Sequence, residues 1–169
     1  MEFRKARMEE LDAITELIAG ARRFIASQGI DQWQDGYPSR ELIREDIEAG
    51  RGYVIADEEG PCGYCMLMTD AEPTYAEIDG EGWQFGEPYL TIHRIAAADR
   101  CRRMGIAGML LKNAAELAAA QGITAVRADT HRGNRAMRGF LEKQGFSYRG
   151  EIRVICEGDP IRVGYERRY

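Results

Sequence analysis

The chain has 169 residues, of which 44% are hydrophobic and 30% charged, and its 23 Lys and Arg against 28 Asp and Glu give a formal net charge of −5. This length and composition predict one folded domain over residues 1–169 and exclude a disordered chain. An acidic chain argues against a nucleic-acid-binding surface, which needs clustered cations, and no apolar stretch reaches the roughly 20 residues that a membrane helix needs.

Strand and helix patterns follow one another through the first half of the chain. The first ten residues, MEFRKARMEE, contain no apolar signal segment, so we expect a cytoplasmic protein, and EFRKAR is predicted to form a strand. From Glu9 to Ser27 apolar residues recur every three or four positions, as in an amphipathic helix. Ser39 is a predicted N-cap of a second, short helix. GYVIAD and CGYCMLMTD, separated by EEGP, predict a β-hairpin.

The second half begins with a long segment, Asp70 to Pro88, that has no periodicity and is predicted to be a loop. Loops of this length in compact domains often carry function. The run YLTIHRIAA predicts a strand, Gly105 to Gln121 a helix, and ITAVRADT the next strand. Asn134 is a predicted N-cap of a helix that ends at Gly145, and SYRGEIRVI and IRVGYERR predict two last strands.

The predicted order is β-α-α-β-β-β-α-β-α-β-β, which indicates an α/β protein with a mixed sheet and helices on its faces. The central strand–helix–strand unit requires a parallel pair with a right-handed crossover, and the hairpins add antiparallel strands.

Four cysteines stand at positions 62, 65, 101 and 156. Only Cys62 and Cys65 form a close pair, and residues three apart in a strand point to opposite faces, so this pair is poorly placed to share a metal ion. A four-ligand zinc site would need a second pair. We therefore predict no metal; a thiol redox or zinc protein is the alternative.

The segment from Ile92 to Gly108 carries the clearest chemical signal. A strand ends, an arginine-rich turn follows, and a helix begins at Gly105, where free N–H groups and the helix dipole attract anions. The turn holds four arginines, at positions 94, 100, 102 and 103. Together these features predict a phosphate or pyrophosphate site. The alternative is a solvated turn whose arginines keep the chain soluble.

Two known nucleotide motifs are excluded. A P-loop requires a Gly-Lys dipeptide, which the chain lacks, and a Rossmann fingerprint requires a glycine where Ala107 stands. Instead, Arg102 to Ala107 match the signature R/Q-x-x-G-x-G/A, and N-x-x-M-x-x-F-L-E-K-x-G-F runs from Asn134 to Phe146. With the Asp-Thr-His strand end at 129–131, these motifs resemble those of the GNAT family of N-acetyltransferases.

The resemblance implies an acetyl-CoA-dependent N-acetyltransferase in which two parallel strands, Tyr89–Ala97 and Ile123–Thr130, are splayed apart. The pantetheine arm of acetyl-CoA would lie in the splay, against Ile95, Ala96 and Ala97. The implied pyrophosphate contacts are the N–H groups of Arg103, Met104, Gly105, Ile106, Ala107 and Gly108, with charge added by Arg102 or Arg103. The implied cofactor contacts from the later helix are Asn134, Met137 and Phe140.

His93 is the first candidate for the base that deprotonates an amine acceptor, because an imidazole titrates near neutral pH. It stands two residues before Ile95 and is therefore predicted on the same face of the strand. A backbone N–H of Ile95 or Ala96 would stabilise the oxyanion. His131 is the second candidate, and a structural histidine is the alternative for His93.

Phe140 departs from the family pattern, because many members have a tyrosine there. Either another group, such as water or Tyr148, protonates the leaving thiolate, or the thiolate leaves unassisted. The same departure keeps a second function open, a non-catalytic module of the same fold that binds acyl-CoA.

The two loop regions combine aromatic and acidic side chains. We expect them to bind a cationic small-molecule amine, with a solvated acidic loop as the alternative. The predicted contacts are Trp33, Tyr37, Trp83 and Tyr89. The sequence does not name the amine, and it leaves a homodimer open.

Overall fold

The computed structural model describes all 169 residues, which form one eight-stranded sheet with two helices on each face. The strands are β1 (Glu2–Lys5), β2 (Gly52–Asp57), β3 (Gly60–Met68), β4 (Asp79–Gly80), β5 (Tyr89–Ala97), β6 (Ala125–His131), β7 (Ser147–Arg153) and β8 (Ile161–Arg168). The helices are α1 (Leu11–Ser27), α2 (Arg40–Glu48), α3 (Ile106–Ala119) and α4 (Arg135–Lys143).

The strand order is β1-β2-β3-β5-β6-β8-β7-β4. Only β5 and β6 are parallel neighbours, and α3 connects them; every other pair is antiparallel. The predicted mixed sheet and its central parallel unit are thereby confirmed. None of the four helices is long and apolar enough to cross a bilayer.

Strand β4 is absent from the predicted order. The prediction that the whole segment 70–88 is a loop is therefore wrong. Two residues are too short for a periodic pattern, yet Asp79 and Gly80 pair with Glu151 and Gly150 of β7. The two backbones approach so closely that a Cβ on Gly80 would lie 2.8 Å from the Gly150 Cα, and both glycines have positive φ. A non-glycine residue at either position is disfavoured for both reasons.

The helices bury two separate apolar clusters, one on each face of the sheet. On one face α3 and α4 contribute Leu110, Leu111 and Leu141, all fully buried. On the other face α1 and α2 pack around Ile14 and Ile43. Burying each large apolar side chain contributes about 1.5–3 kcal/mol of transfer free energy. This contribution stabilises the packing of the helices on both faces of the sheet.

Candidate active site

Strands β5 and β6 separate part-way along their length. Three residue pairs join them, the last being Thr91 with Arg127, and beyond it no pair is formed. Meanwhile β5 stays paired with β3 as far as Ala97, and β6 stays paired with β8 as far as His131. The inner edges of 92–97 and 128–131 therefore border an open space, here called the cleft. Backbone groups on these edges lack a neighbouring strand and are available to a ligand.

A β-bulge in β5 changes which side chains share a face. Three residues of β3, Tyr64 to Met66, lie opposite four residues of β5, His93 to Ala96, and Arg94 within this bulge has φ 56°. Ile95 consequently packs in the cluster under α3, while Ala96 packs on the α1 side. The prediction that His93 and Ile95 share a face is wrong, because a bulge shifts the alternation of the strand by one residue.

His93 lies in a cluster of polar side chains on the face of the sheet opposite α3. Its Nε2 is 2.9 Å from Oε2 of Glu72, and its Nδ1 is 3.8 Å from Oδ1 of Asp129. The Tyr75 hydroxyl donates to the same Asp129 oxygen at 2.7 Å, and the Glu72 backbone N–H donates to the Tyr89 hydroxyl at 2.9 Å. The side chains of His93, Glu72 and Asp129 are 17%, 13% and 14% exposed, so the cluster is within reach of a ligand.

The charge states of two members of this cluster follow from their surroundings. The hydrogen bond with His93 lowers the pKa of Glu72 to about 2, so this carboxylate is ionised at neutral pH. Burial, with a further contribution from Asp129, raises the pKa of Tyr75 well above its usual value, so its hydroxyl remains a donor. The sequence did not predict that Glu72 and Asp129 contact His93, because they lie 21 and 36 positions away from it in the chain.

At the end of β5 the chain makes the predicted turn and enters α3. The N–H groups of five residues in this turn and first helical turn donate to no acceptor within the protein: Arg103, Gly105, Ile106, Ala107 and Gly108. Arg103 and Gly105 have φ values of 64° and 75°. A Cβ built on Gly105 meets no atom within 4 Å, so the space beside the Gly105 Cα is open. Such a concentration of free N–H groups at a helix N-terminus suits an anion.

Comparison with known families decides the classification. Residues 12–146 match the model of the acetyltransferase (GNAT) family. The chain belongs to the GNAT family. A GNAT acetyltransferase structure from Streptococcus agalactiae is 33% identical, with TM-score 0.87 over 99% of this chain and 95% of that one. No curated protein matches the chain.

Two more distant structures share the fold of this GNAT protein. The PaiA N-acetyltransferase of Thermoplasma acidophilum, in complex with coenzyme A, is 18% identical, with TM-score 0.72 over 99% of this chain and 98% of that one. The ribosomal-protein-alanine N-acetyltransferase of Brucella melitensis is 16% identical, with TM-score 0.69 over 100% of both chains. The family membership confirms the resemblance drawn from the sequence, and acyl transfer is its general chemistry.

The arginines of the turn are less equivalent in this GNAT protein than their spacing suggests. Arg94 lies 2.6 Å from Asp46, Arg100 lies 2.8 Å from Asp57, and Arg102 lies 2.8 Å from Asp99. Arg103 is exposed and forms no ion pair. Of the four arginines, only Arg103 can therefore bind an anion without first breaking an ion pair with a carboxylate.

This difference predicts unequal effects of two alanine substitutions on binding of coenzyme A. Arg103→Ala should weaken binding by about 1 kcal/mol, roughly fivefold in Kd, because it removes an exposed but unpaired charge. Arg102→Ala should change Kd less than twofold, because the Arg102 charge is already partnered by Asp99. Calorimetric titration of both variants with coenzyme A checks the order, and an equal loss in the two would contradict it.

Asn134 is confirmed as the N-cap of α4. Its side chain accepts from the Met137 N–H at 3.1 Å and donates to Gln32 Oε1 at 3.1 Å, and the residue is buried. Its polar atoms are thus used within the protein, which differs from the direct cofactor contact expected from the resemblance. Met137 and Phe140 are partly buried against the core cluster under α3 and α4.

The four aromatic residues predicted to bind the acceptor form two separate pairs. Trp33 and Tyr37 lie 6.4 Å apart between ring centroids, and the Tyr37 hydroxyl accepts from Arg94 Nε at 3.0 Å. Trp83 and Tyr89 instead enclose the Arg127 guanidinium, at 4.5 Å and 3.8 Å from their ring centroids. Tyr89 is only 4% exposed, so it supports Glu72 through its hydroxyl and does not offer its ring to a ligand.

The cysteine pair does not follow simple strand alternation either. A bulge in β3 near Cys62 places Cys62 and Cys65 together in the cluster under α3, contrary to the predicted opposite faces. All four thiols are free. Asp57, Cys62 and Cys101 bring possible ligand atoms within 4.8 Å of one another, but Asp57 also accepts two hydrogen bonds from Arg100. The absence of a metal stays a prediction.

Proposed function

We propose that this GNAT protein transfers an acetyl group from acetyl-CoA to a primary amine of a small-molecule acceptor. The five unbonded N–H groups at the start of α3 carry the proposal, because they form an anion site where β5 ends. Ile106 lies against Gly63, which pairs with Ala97, the last residue of β5. A diphosphate on these N–H groups therefore leaves the rest of the coenzyme next to the cleft.

The residues that would hold coenzyme A are mostly main chain. The inner edge formed by Ile95, Ala96 and Ala97 would pair with the pantetheine amides, and the five free N–H groups would bind the diphosphate. The Met104 N–H, which the resemblance also implied as a contact, donates to the Cys101 carbonyl at 3.3 Å instead. Met137 and Phe140 would border the ligand with apolar surface. The complex of the Thermoplasma acidophilum neighbour with coenzyme A supports the same ligand here.

Acetyl-CoA supplies a thioester whose carbonyl carbon accepts the amine: the C–N bond forms, the C–S bond breaks, and the sulfur leaves with the electron pair and takes up a proton. His93 takes a proton from the acceptor, which is required because an alkyl ammonium of pKa about 10.4 has no free electron pair. A backbone N–H of Ile95 or Ala96 donates to the carbonyl oxygen. Phe140 has no hydroxyl, so water or Tyr148 protonates the leaving thiolate, or the thiolate leaves without an acid.

A thiol-release assay tests the proposal. The protein is mixed with acetyl-CoA and a panel of primary amines, and free coenzyme A is followed by its thiol. We expect release that depends on the amine and exceeds the rate without amine. Tight binding of coenzyme A without amine-dependent release would instead favour the non-catalytic acyl-CoA-binding module.

A further inference from the structure

The point at which β5 and β6 separate places two side chains opposite each other. Thr91 and Arg127 form the last pair, and side chains alternate between faces, so His93 and Asp129 are the next residues on the same face of each strand. One belongs to β5 and the other to β6, and they stand at the entrance to the cleft.

The hydrogen bonds around His93 fix the roles of its two nitrogens. Glu72 Oε2 lies 2.9 Å from Nε2, and an ionised carboxylate only accepts, so the imidazole proton is on Nε2. Nδ1 of the neutral ring then carries a free electron pair. It faces Oδ1 of Asp129 at 3.8 Å, too far for a direct hydrogen bond.

Two acceptors, His93 Nδ1 and Asp129 Oδ1, therefore lie side by side, 3.8 Å apart, so that one donor atom beside them can reach both. An ammonium nitrogen can stand at about 2.9 Å from each and donate to both. Charge favours a cation here as well, because neither Glu72 nor Asp129 has a lysine or arginine partner. The nearby Arg94 is already paired with Asp46 at 2.6 Å.

We infer that the ammonium group of the acceptor donates to both Asp129 and His93 from beside the pair, and that Glu72 and Tyr75 are positioning residues for these two groups. The inference rests on the proposed function and names its acceptor class: alkyl amines that are cationic in solution. Tyr75 donates to Asp129 at 2.7 Å and fixes the carboxylate, as Glu72 fixes the imidazole. One ammonium proton moves to Nδ1 of His93, which frees the nitrogen electron pair, and the resulting imidazolium lies between two carboxylates until it releases that proton to water.

Steady-state kinetics with two acceptor types test this site. Asp129→Asn should raise KM for a simple alkyl amine at least tenfold and leave KM for a neutral aryl amine within twofold, because only the cation needs the carboxylate. Tyr75→Phe should shift the same ratio in the same direction by a smaller factor, which covers the case in which Asp129→Asn does not fold. Asp12→Asn, an exposed carboxylate on α1, is the matched control and should match the wild type.

A binding measurement without acetyl-CoA gives an independent readout. The chain has only two histidines, so nitrogen NMR of the imidazoles resolves His93 with His131 as internal reference. Ethylammonium chloride should shift the His93 Nδ1 signal and leave His131 unchanged, with potassium chloride as the ionic control, and Asp129→Asn should abolish the shift. Glu72→Leu should give mixed His93 tautomers, and Glu72→Gln, which retains an acceptor oxygen, should restore the single tautomer.

The outcomes separate this inference from the function on which it rests. If the wild type acetylates alkyl amines but Asp129→Asn leaves the ratio of alkyl to aryl KM unchanged, the ammonium site is overturned and the function stands. If His93 Nδ1 does not respond to ethylammonium, the site is overturned as well. If the wild type binds coenzyme A and releases no thiol with any amine, the function itself fails.

Discussion

Gly105→Glu is expected to abolish binding of coenzyme A, with Kd raised at least 100-fold. Each charged hydrogen bond is worth about 1.5–3 kcal/mol, and the substitution places a carboxylate in front of five free N–H donors that a diphosphate would otherwise occupy. The open space at the Gly105 Cβ means that the new side chain meets ligand and not protein. Calorimetric titration with coenzyme A measures the loss, and circular dichroism confirms the fold.

Gly122 offers a matched control at the other end of α3. Its φ is 78°, close to the 75° of Gly105, and a Cβ there also meets no atom within 4 Å. Gly122→Glu therefore carries the same backbone strain and the same added charge without approaching the anion site, and its Kd should equal that of the wild type. Affinity retained in Gly105→Glu, or lost equally in both variants, would remove the anion site from the account.

His93→Ala is expected to lower kcat/KM for an alkyl amine by about 100- to 10,000-fold, the usual contribution of a general base. In the wild type, kcat/KM should fall towards acid pH, since a protonated imidazole cannot accept a proton. The variant should lack this acid limb, because the imidazole that would be protonated is absent. Profiles of kcat/KM from pH 5 to 9 measure both effects.

His131→Gln is the comparison for His93→Ala. His131 Nε2 lies 3.1 Å from Asp31, and its Nδ1 accepts from the Gly133 N–H at 3.0 Å, so it is held at the end of β6 by its own partners. We expect the acid limb to persist in this variant. An unchanged pH profile in His93→Ala would make His93 structural, and loss of the limb in His131→Gln would transfer the role of base to the second candidate.

The cluster of free N–H groups at the start of α3 could be predicted from sequence because its parts are contiguous. A strand end, a turn and a helix start within Ile92 to Gly108 fix the geometry through local backbone rules, and each N–H group is there whatever side chain it carries. The element order, apart from the two-residue strand β4, was predictable for the same reason, since apolar periodicity in α1 and α3 is a property of neighbouring residues.

The surroundings of His93 could not be predicted, because they depend on residues far apart in the chain. Glu72 reaches His93 from a loop without periodicity, and Asp129 reaches it from the next strand of the sheet. The bulge at Arg94 has no sequence signature, since arginine rarely adopts a positive φ. Ion pairs across elements, such as Arg94 with Asp46, likewise reduced the apparent charge of the turn.

The loop that carries Glu72 and Tyr75 is a separate stretch of chain from the segment that forms the anion site. The proposed coenzyme contacts are mostly main-chain groups on residues 95–108. The proposed acceptor contacts, His93 and Asp129, are instead held in position by the side chains of Glu72 and Tyr75 on that loop. Under the proposed acceptor site, substitutions in this loop should change which amine is accepted and leave the proposed coenzyme contacts unaltered. Grafting this loop between relatives is a direct route to new acceptor preferences on an unaltered scaffold.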